Sequence, residues 1–539
     1  MQNSGSWNYR FGWLAIAFFI LAWVGYFGVY RFDHQNANIA FMLSLVLASI
    51  FGIIWFLLNK LIPLAVRLLP LSILVFGVAI LLRNYEFRGF SGELVPQFRV
   101  RDPSRKTLNE ELNTSVDAKS KPKQLDQSPS FRQFLGNDRT GIVSDIELSE
   151  AWDSELPRIL WKKAIGLGWS GFAIQNGLSI TLEEFDGRDC IVALDWNDGS
   201  LRWRTPLERR HYHPMDGGGP SATPTIEGER FFAQSSTGIV CCGELASGKL
   251  VWKVDLLEKA GITQMEAEVS VTWGRSGSPL LYGDLVIVPF GGASGRLPAG
   301  LIALDRLTGG ERWRGGQTQI SYASPSVMTI LDVEQIVIVN ESTVTGHEPK
   351  TGKVLWGHDW PGQSNGGATV SQAVSIDAKH ILISKAYGGG AEMLDFSESS
   401  PPNFVVKTKW KNASLLKTKF TSTIYRDGYL YGLSDGILEC VDADSGKRMW
   451  KDSRNGRLGH GQLLLVGHHL VVSCEDGRIV VGRAGPEAFQ KIGEVPVLAG
   501  ITWNTIAIAG NRLLMRNGEQ VACVAMPIER NASDTIVAD

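Results

Sequence analysis

The chain has 539 residues, more than an ordinary single domain contains. The 53 basic and 55 acidic side chains almost balance, which argues against both a basic nucleic-acid-binding surface and an acidic solvating tail. The 59 glycines and 17 tryptophans are typical of an all-β protein with tight turns and large apolar anchors.

Residues 1–90 are predicted to form a transmembrane anchor. Residues 11–30 and 39–58 contain no charged side chain, and residues 61–82 contain one, Arg67. Because about 20 apolar residues cross the hydrocarbon core of a bilayer, these three runs predict three transmembrane helices. A cleaved signal peptide fits poorly, since the first run is long and two more follow it.

The charges that flank these helices favour opposite orientations. Two sets of basic residues compete: Arg10, Lys60 and Arg67 favour an N-terminus inside, whereas Arg31, Arg83 and Arg88 favour the reverse. Basic residues continue after Arg88. Charge alone therefore leans towards a cytoplasmic position for the large C-terminal domain.

The rest of the chain divides by composition. Residues 91–130 are predicted to be a juxtamembrane linker, because from residue 99 they lack aromatic side chains and are rich in Lys, Asp, Ser and Asn. Residues 131–527 read as short apolar strands separated by Gly, Asp and Asn turns. Residues 528–539 remain as a C-terminal tail.

One short phrase recurs through the strand-rich region. An acidic residue stands four positions before a glycine, which stands four positions before a tryptophan. The five copies end in DGSLRW (198–203), SGKLVW (247–252), TGGERW (308–313), TGKVLW (351–356) and SGKRMW (445–450). We expect the glycine to permit a turn, the acid to accept hydrogen bonds from turn amides, and the tryptophan to pack between neighbouring sheets.

The spacing of the tryptophans predicts an eight-bladed β-propeller of four-stranded blades. The first four repeat tryptophans are 49, 61 and 43 residues apart, and the next follows after 94. Trp410 falls in that wide gap, Trp161 lies upstream, and Phe489 or Ile492 ends a weaker copy. Periods of this length, made of strands alone, are typical of propeller blades. Residues 500–527 supply three strands and 158–165 a fourth, so the two chain ends are predicted to share one blade.

The repeat resembles the PQQ-type repeat over residues 131–527. That repeat is shared by quinoprotein alcohol dehydrogenases and BamB-like outer-membrane assembly lipoproteins. Segments 168–183, 432–450 and 459–467 are similar to a membrane-anchored bacterial branch of this superfamily. The resemblance implies a periplasmic propeller on an anchor in the bacterial inner membrane, and on orientation we follow it rather than the charge balance.

Two glycine-rich motifs indicate nucleotide chemistry that their surroundings disfavour. GLGWSG (166–171) has the spacing of a dinucleotide-binding turn, but a strand-like segment follows it where a helix is required. GELASGKL (243–250) has the core of a phosphate loop, but Leu250 replaces the hydroxyl residue that binds Mg²⁺. We predict neither site.

Two cysteines and two histidines stand close enough in the sequence to be candidates for redox or metal-binding groups. Cys241 and Cys242 are adjacent, as in the vicinal disulfide of some quinoprotein dehydrogenases, but their place on a third strand favours two unlinked, packed thiols. His211, His213 and Asp216 lack a further placed ligand, so we predict a polar surface loop and no metal site.

The residues that open each innermost strand are expected to ring a central channel. Six are predicted to bind a cofactor there, because tryptophans stack planar rings and cations pair with carboxylates: Trp169, Trp273, Arg275, Lys419, His460 and Trp503. PQQ is a planar tricarboxylate that this composition permits. Also expected at the channel are Ser170, Ser221, Tyr322, Asn365, Gln462 and Asn504.

Two functions remain open from the sequence. The calcium-binding acid and amide set and the catalytic Asp of the dehydrogenases are not recognisable, so the favoured function is a scaffold that binds a protein partner at the envelope, or a small ligand, without a cofactor. The alternative is a PQQ-dependent dehydrogenase, with PQQ and Ca²⁺, that passes electrons to membrane quinone.

Overall fold

The computed structural model describes residues 5–30, 34–101, 129–215, 217–293, 299–400 and 403–529. The chain divides into two compact units, Met1–Thr107 with Pro214–Gly217, and Leu108–His213 with Gly218–Asp539. Most of the predicted linker and nearly all of the predicted tail lie outside the described residues.

The first unit contains three apolar helices: α1 (Gly5–Tyr30), α2 (His34–Leu58) and α3 (Leu64–Asn84). Each is long and apolar enough to cross a membrane, which confirms the three predicted helices. α1 and α2 pack against each other, with the rings of Phe18 and Phe51 stacked at 5.5 Å. α3 begins after Pro63, later than predicted, because the chain turns where Ile62 donates its amide to the Asn59 carbonyl.

A hairpin that the sequence analysis did not identify follows the third helix. It consists of β1 (Tyr85–Phe90) and β2 (Pro96–Val100), paired antiparallel. Phe87 lies directly opposite Phe98, with ring centroids 5.7 Å apart. This cross-strand aromatic pair stabilises a short hairpin in residues that had been divided between anchor and linker.

The second unit is built mainly from antiparallel sheets, and in six of the eight larger ones all strands follow one another in chain order from an innermost to an outermost strand. Two strands precede the first sheet: β3 (Ile142–Val143) and β4 (Arg158–Ala164). The first sheet contains β5 (Ala173–Gln175), β6 (Leu178–Phe185), β7 (Arg188–Asp195) and β8 (Leu201–Pro206). Two short strands follow, β9 (Tyr212–His213) and β10 (Gly217–Gly218).

The next three sheets repeat this order. The second contains β11 (Thr225–Glu227), β12 (Arg230–Gln234), β13 (Ile239–Glu244) and β14 (Leu250–Asp255). The third contains β15 (Leu280–Tyr282), β16 (Leu285–Gly291), β17 (Ala299–Asp305) and β18 (Glu311–Gly315). The fourth contains β19 (Ser326–Ile330), β20 (Val333–Val339), β21 (Thr343–His347) and β22 (Val354–Asp359).

Four more sheets complete the unit. The fifth contains β23 (Val374–Ser375), β24 (His380–Lys385), β25 (Gly390–Ser400) and β26 (Asn403–Asn412). The sixth contains β27 (Ile424–Arg426), β28 (Tyr429–Ser434), β29 (Ile437–Asp442) and β30 (Arg448–Lys451). The seventh contains β31 (Gln462–Val466), β32 (His469–Ser473), β33 (Arg478–Arg483) and β34 (Gln490–Pro496), with β3 added parallel to β31. The eighth contains β35 (Ala507–Ala509), β36 (Arg512–Arg516) and β37 (Gln520–Ala525), and β4 completes it.

The eighth sheet joins distant parts of the chain. β4 pairs antiparallel with β37, and Trp161 lies opposite Cys523. The prediction that residues 158–165 complete the sheet of residues 500–527 is therefore confirmed. This pairing removes an open sheet edge at β37.

Consecutive sheets pack face to face through apolar side chains. Successive side chains of β13 face opposite sides of the sheet. Cys241 therefore lies in the core shared with the first sheet, and Cys242 lies in the core shared with the third. The two thiols are free and buried, as the sequence predicted, because neighbouring residues of a strand face opposite sides of its sheet. Burial raises the pKa of Cys241 to about 12, so its thiol stays protonated and inert.

The recurring phrase links each sheet to the next. The indole Nε1 of Trp203 donates to the Leu245 carbonyl at 2.9 Å, and its ring lies so close to Gly248 that a Cβ there would be 2.4 Å from a ring carbon. Gly248 also has a φ of 71°, a value that favours glycine. The same ring-on-glycine contact recurs for Trp161 on Gly199, Trp252 on Gly309, Trp313 on Gly352 and Trp410 on Gly446.

The turn acids behave in two ways. The Asp305 carboxylate accepts the amides of Leu307 and Thr308 at 3.0 and 2.8 Å, as predicted. Glu244 and Glu348 instead accept the hydroxyls of Ser247 and Thr351. The longer glutamate side chain places its oxygens beyond the amides, so the prediction holds for aspartate and not for these glutamates.

Trp356 departs from the pattern. Its Nε1 donates to Oε1 of Gln335 in its own sheet, at 2.6 Å. In the fifth sheet, the sequence that joins β25 to β26 has no repeat glycine, and the ring of Trp356 contacts Phe396 of β25 instead, with centroids 4.8 Å apart.

Two short helices lie between the second and third sheets: α4 (Leu256–Ala260) and α5 (Gln264–Ser270). They account for the 61-residue spacing between Trp252 and Trp313 and were not predicted. Asp255 caps α4, and Thr263 and Glu266 form a capping box at the start of α5. The spacing Thr-x-x-Glu is a readable sequence signal for this helix.

Residues 131–143, here called the crossing segment, bind several innermost strands. Phe131 exchanges two backbone hydrogen bonds with Ile174, and Arg132 accepts the amide of Ile226. Further along, Gly141 accepts the amide of Leu465 before β3 pairs with β31. The segment thus connects the first, second and seventh sheets.

Candidate functional site

Five side chains that precede innermost strands form a contact group, here called the mouth cluster: Trp169, Lys419, Phe420, His460 and Trp503. They lie just before β5, β27, β31 and β35. Four of the six predicted site residues are therefore brought together by the fold. Phe420 is the one member that the sequence analysis did not select.

Aromatic contacts hold the cluster together. The rings of Trp169 and Trp503 have centroids 4.7 Å apart and planes tilted by 41°. Phe420 lies 4.8 Å from Trp503 and 5.9 Å from His460, and the Lys419 ammonium is 6.0 Å from its centroid. The three aromatic rings are only half-buried, so they present apolar surface that a bound molecule can contact.

Hydrogen bonds fix the orientation of this cluster. Glu475 accepts Nε1 of Trp503 at 3.0 Å with one oxygen and the backbone amide of His460 at 3.1 Å with the other. Gln462 donates to the carbonyls of Phe420 and Trp503, both at 2.7 Å. The residues that precede β27 and β35 are thereby hydrogen-bonded to the first residue of β31, which makes the arrangement rigid.

Two of the buried polar atoms at the cluster have no hydrogen-bond partner among the residues that the structure describes. They are Nε1 of Trp169 and Oδ1 of Asn504. The amide nitrogen of Asn504 donates to the carbonyls of Gly168 and Ser170, so the nitrogen and the oxygen of this side chain can be told apart.

The other two predicted site residues make their contacts elsewhere. Trp273 packs on the ring of His213, with centroids 4.4 Å apart. Arg275 is 4% exposed, donates to the Phe290 carbonyl and lies against Gly238. Burial lowers the pKa of Arg275 to about 10. Its contacts are those of a residue that supports a loop.

The remaining sequence candidates are placed as follows. His211 is 3% exposed, which contradicts the expected surface position, and burial lowers the pKa of its imidazole. It is buried because Gly274 packs on its ring. Asp216 lies outside the described residues. Within the part of the chain that the structure describes, no three His, Cys, Asp or Glu side chains form a group that could hold a metal ion.

Glu475 was also missed by the sequence analysis. It stands in a turn after β32, where an acid is ordinarily read as a turn residue that caps amides. Its contacts with Trp503 and His460 depend on strand openings far apart in sequence. Only the three-dimensional fold makes this role visible.

Trp169 and Trp503 leave no space for a planar ring between them. A planar ring held between two aromatic faces needs about 7 Å between them, twice the ~3.5 Å carbon contact distance. The Trp169 and Trp503 centroids are 4.7 Å apart.

Comparisons with known proteins agree with the repeat architecture. Residues 149–321 and 187–452 match the PQQ_2 family model, described as outer membrane protein assembly factor BamB. The outer membrane protein assembly factor BamB of Yersinia pestis is 19% identical over 360 residues, which cover 58% of this chain and 85% of that protein.

Solved structures show the same fold at low identity. A europium-containing methanol dehydrogenase matches with a TM-score of 0.54 and 12% identity, covering 74% of this chain and 99% of its own. The quinohemoprotein alcohol dehydrogenase ADHIIG of Pseudomonas putida HK5 matches with a TM-score of 0.52 and 13% identity, covering 80% and 83%. The family matches together span more than half of the 539 residues, and the chain therefore belongs to the BamB-like family of PQQ-repeat β-propellers.

Proposed function

We propose that this protein is a membrane-anchored binding propeller rather than a redox enzyme. The observation that carries the proposal is the mouth cluster. Its aromatic rings fill the space between one another, and the neighbouring carboxylate of Glu475 accepts a hydrogen bond that orients Trp503. A half-buried aromatic surface beside a lysine is suited to contact a partner.

An eight-bladed ring is part of the proposal. Apolar cores join the sheets in succession, and one core contains residues of the seventh, eighth and first sheets together. The pairing of β4 with β37 supports closure of the ring. In such a ring the openings of the innermost strands surround one end of a central channel, where the mouth cluster would lie.

The proposed partner is a protein of the bacterial envelope. A related family member is named as an outer membrane protein assembly factor, and three apolar helices suggest membrane anchoring of this chain. We infer a location in the inner membrane with the propeller in the periplasm. A protein partner would contact the aromatic rings of the mouth cluster, with Lys419 beside them.

The first test is a titration of the full chain, purified in detergent, with PQQ and Ca²⁺, followed by tryptophan fluorescence. The proposal predicts no saturable quenching in the micromolar range, because the Trp169–Trp503 contact leaves no slot for the ring. Trp503→Ala tests the cluster. Trp13→Ala is the matched control, since that tryptophan lies in α1.

Saturable binding that Trp503→Ala abolishes and Trp13→Ala preserves would contradict the proposal. It would favour the second candidate function, a PQQ-dependent dehydrogenase. The observation on that side is the fold match to two alcohol-oxidising enzymes. An alcohol screen with an artificial electron acceptor would then follow.

The binding function has its own positive test. A photoreactive amino acid at position 420 should crosslink a specific envelope protein in cells. The same probe at Met265, which is 76% exposed on α5, serves as the matched control. Equal crosslinking from both positions, or none from either, would contradict a partner site at the mouth cluster.

A further inference from the structure

The hairpin of β1 and β2 has one apolar face and one charged face. Three cross-strand pairs define these faces: Tyr85 with Val100, Glu86 with Arg99 and Phe87 with Phe98. Directly paired residues share a face, and successive residues of a strand alternate between faces. The four apolar side chains therefore lie on one face of the hairpin, and the charged pair lies on the other.

The apolar face is exposed to a degree that water alone does not favour. Tyr85, Phe87, Phe98 and Val100 are 41%, 48%, 49% and 62% exposed. Contiguous apolar side chains that remain exposed mark a surface that contacts something other than water. The apolar face therefore requires an apolar neighbour.

The two ends of the hairpin lie at one end of the helical anchor. β1 begins at Tyr85, directly after α3 ends at Asn84, and the Arg101 amide donates back to the Asn84 carbonyl at 2.7 Å. The turn between the strands contacts the start of α2, because Nδ2 of Asn38 donates to the Glu93 carbonyl at 2.8 Å. In an anchor of successive membrane-crossing helices, the start of α2 and the end of α3 lie at the same membrane face. The hairpin is thus held at that face at both of its ends.

The interfacial layer of a bilayer suits both the side chains and the backbone of this hairpin. Aromatic side chains are favoured at the level of the lipid headgroups, and an amphipathic element there buries its apolar side while its charged side faces water. The outer edges of a two-stranded hairpin carry unpaired backbone groups, which water and headgroups can satisfy and the hydrocarbon core cannot. A position at the interface is therefore favoured over deeper insertion.

We propose that the hairpin of β1 and β2 lies in the interfacial layer of the bilayer, with its apolar face on lipid and its charged face towards water. In the orientation proposed above, this is the periplasmic leaflet. Held there, the hairpin keeps the chain at Arg101 on the membrane surface. The inference rests on the membrane anchoring in the proposed function and is independent of partner binding at the mouth cluster.

The test uses the full chain in phosphatidylcholine vesicles, with single introduced cysteines that carry the fluorophore NBD. The six native thiols are buried, so labelling is directed to the introduced position. Phe98→Cys and Val100→Cys report on the apolar face, and Arg99→Cys between them is the matched control on the charged face. The quenchers are a phosphatidylcholine with a doxyl group near the head of an acyl chain, and iodide on both sides of the membrane.

The expected result is an alternation along β2. The doxyl lipid should quench the labels at positions 98 and 100 roughly threefold more strongly than the label at position 99, and iodide should show the reverse order. Proximity to the membrane alone would not produce this two-residue period. Val100→Cys preserves the test if the loss of the Phe98 ring unfolds the hairpin.

Two results would overturn the inference. Equal quenching at the three positions would show that the hairpin does not present one face to lipid. Protection of positions 98 and 100 from both quenchers would assign the apolar face to contact with protein.

A label on α3 separates this inference from the proposed function. Phe76 is 70% exposed on that helix, so a label in Phe76→Cys should be quenched by a doxyl group near the end of an acyl chain. Quenching at position 76 without alternation along β2 would overturn the hairpin inference and leave the membrane anchoring intact. Absence of quenching at position 76 would contradict both.

Discussion

Asp189 shows how one buried residue can make the stability of the propeller depend on pH. Its carboxylate is buried, accepts the amide and hydroxyl of Ser236 at 3.0 and 2.5 Å, and lies opposite Glu184 in the sheet. Burial, assisted by the negative charge of Glu184, raises the pKa of Asp189 to about 7. The folded protein therefore binds this proton more tightly than the unfolded chain does.

The sign of the pH effect follows from that difference. Between the ordinary aspartate pKa of about 4 and the folded value of about 7, the folded state holds more protons, so stability falls as pH rises. Asp189→Asn is expected to remove roughly 2–4 kcal/mol of this loss. Melting temperatures of the full chain at pH 5 and pH 8 should then lie closer together in the variant.

An exposed turn aspartate provides the control of opposite sign. Hydrogen bonds from Ser200 lower the pKa of Asp198. Asp198→Asn should therefore cost stability at pH 8 and little at pH 3, because its stabilisation disappears as pH falls. If Asp189→Asn behaves like Asp198→Asn, the buried carboxylate does not control the pH profile.

Glycine at the repeat turn can be tested with a matched pair. Gly248 and Gly228 both have positive φ, 71° and 57°, but only Gly248 has an indole ring on it. Gly228→Ala should cost about 1 kcal/mol from backbone strain alone. Gly248→Ala should cost roughly 2–4 kcal/mol, because the new methyl displaces Trp203. Thermal unfolding measures both, and equal losses would mean that the ring contact contributes nothing.

At the scale of elements, the sequence predicted most of the sheets. Alternating apolar positions and the glycine turns located the strands of the second sheet, and the tryptophan spacing separated one sheet from the next. The helix α5 was missed because its Thr263–Glu266 box was read as part of a strand-rich region. The hairpin of Phe87 and Phe98 was missed because its pairing partner lay in the presumed linker.

The candidate site was only partly accessible to sequence reasoning. The expectation that residues just before the innermost strands lie together correctly grouped Trp169 with Trp503, although the two residues are far apart in the sequence. The same rule selected Arg275, whose side chain turns under a loop to reach Phe290. The strand pattern predicts where a strand begins, but it does not predict the direction in which a long side chain extends from that point.

The shared eighth sheet predicts how the propeller responds to truncation. A chain that ends after Asn517 lacks β37 and leaves β4 without its partner. We expect such a chain to lose cooperative unfolding, because the core between the seventh, eighth and first sheets is opened. A chain that ends after Glu529 keeps every strand that the structure describes and should unfold as the full chain does. Cooperative melting of the shorter chain would contradict this role.

At the scale of the whole molecule, membrane orientation can be measured with introduced cysteines. The six native thiols are buried, so background labelling should be low. With the N-terminus inside and three helices, Met265→Cys should react with an impermeant maleimide in intact spheroplasts. Leu61→Cys, 88% exposed between α2 and α3, should react only after permeabilisation. The reverse pattern would place the propeller in the cytoplasm, as the flanking charges alone suggest.

The pairing of β4 with β37 also determines when, during synthesis of the chain, the eighth sheet can be completed. Translation makes residues 158–164 early and residues 520–525 near the end of the chain. At ribosomal rates of about 5–20 residues per second, β4 waits roughly 20–70 seconds for the strand that completes its sheet. During that interval the sheets at both ends of the incomplete set can associate with other chains. Cells that make this protein are therefore expected to shield the incomplete set of sheets until β37 has been made.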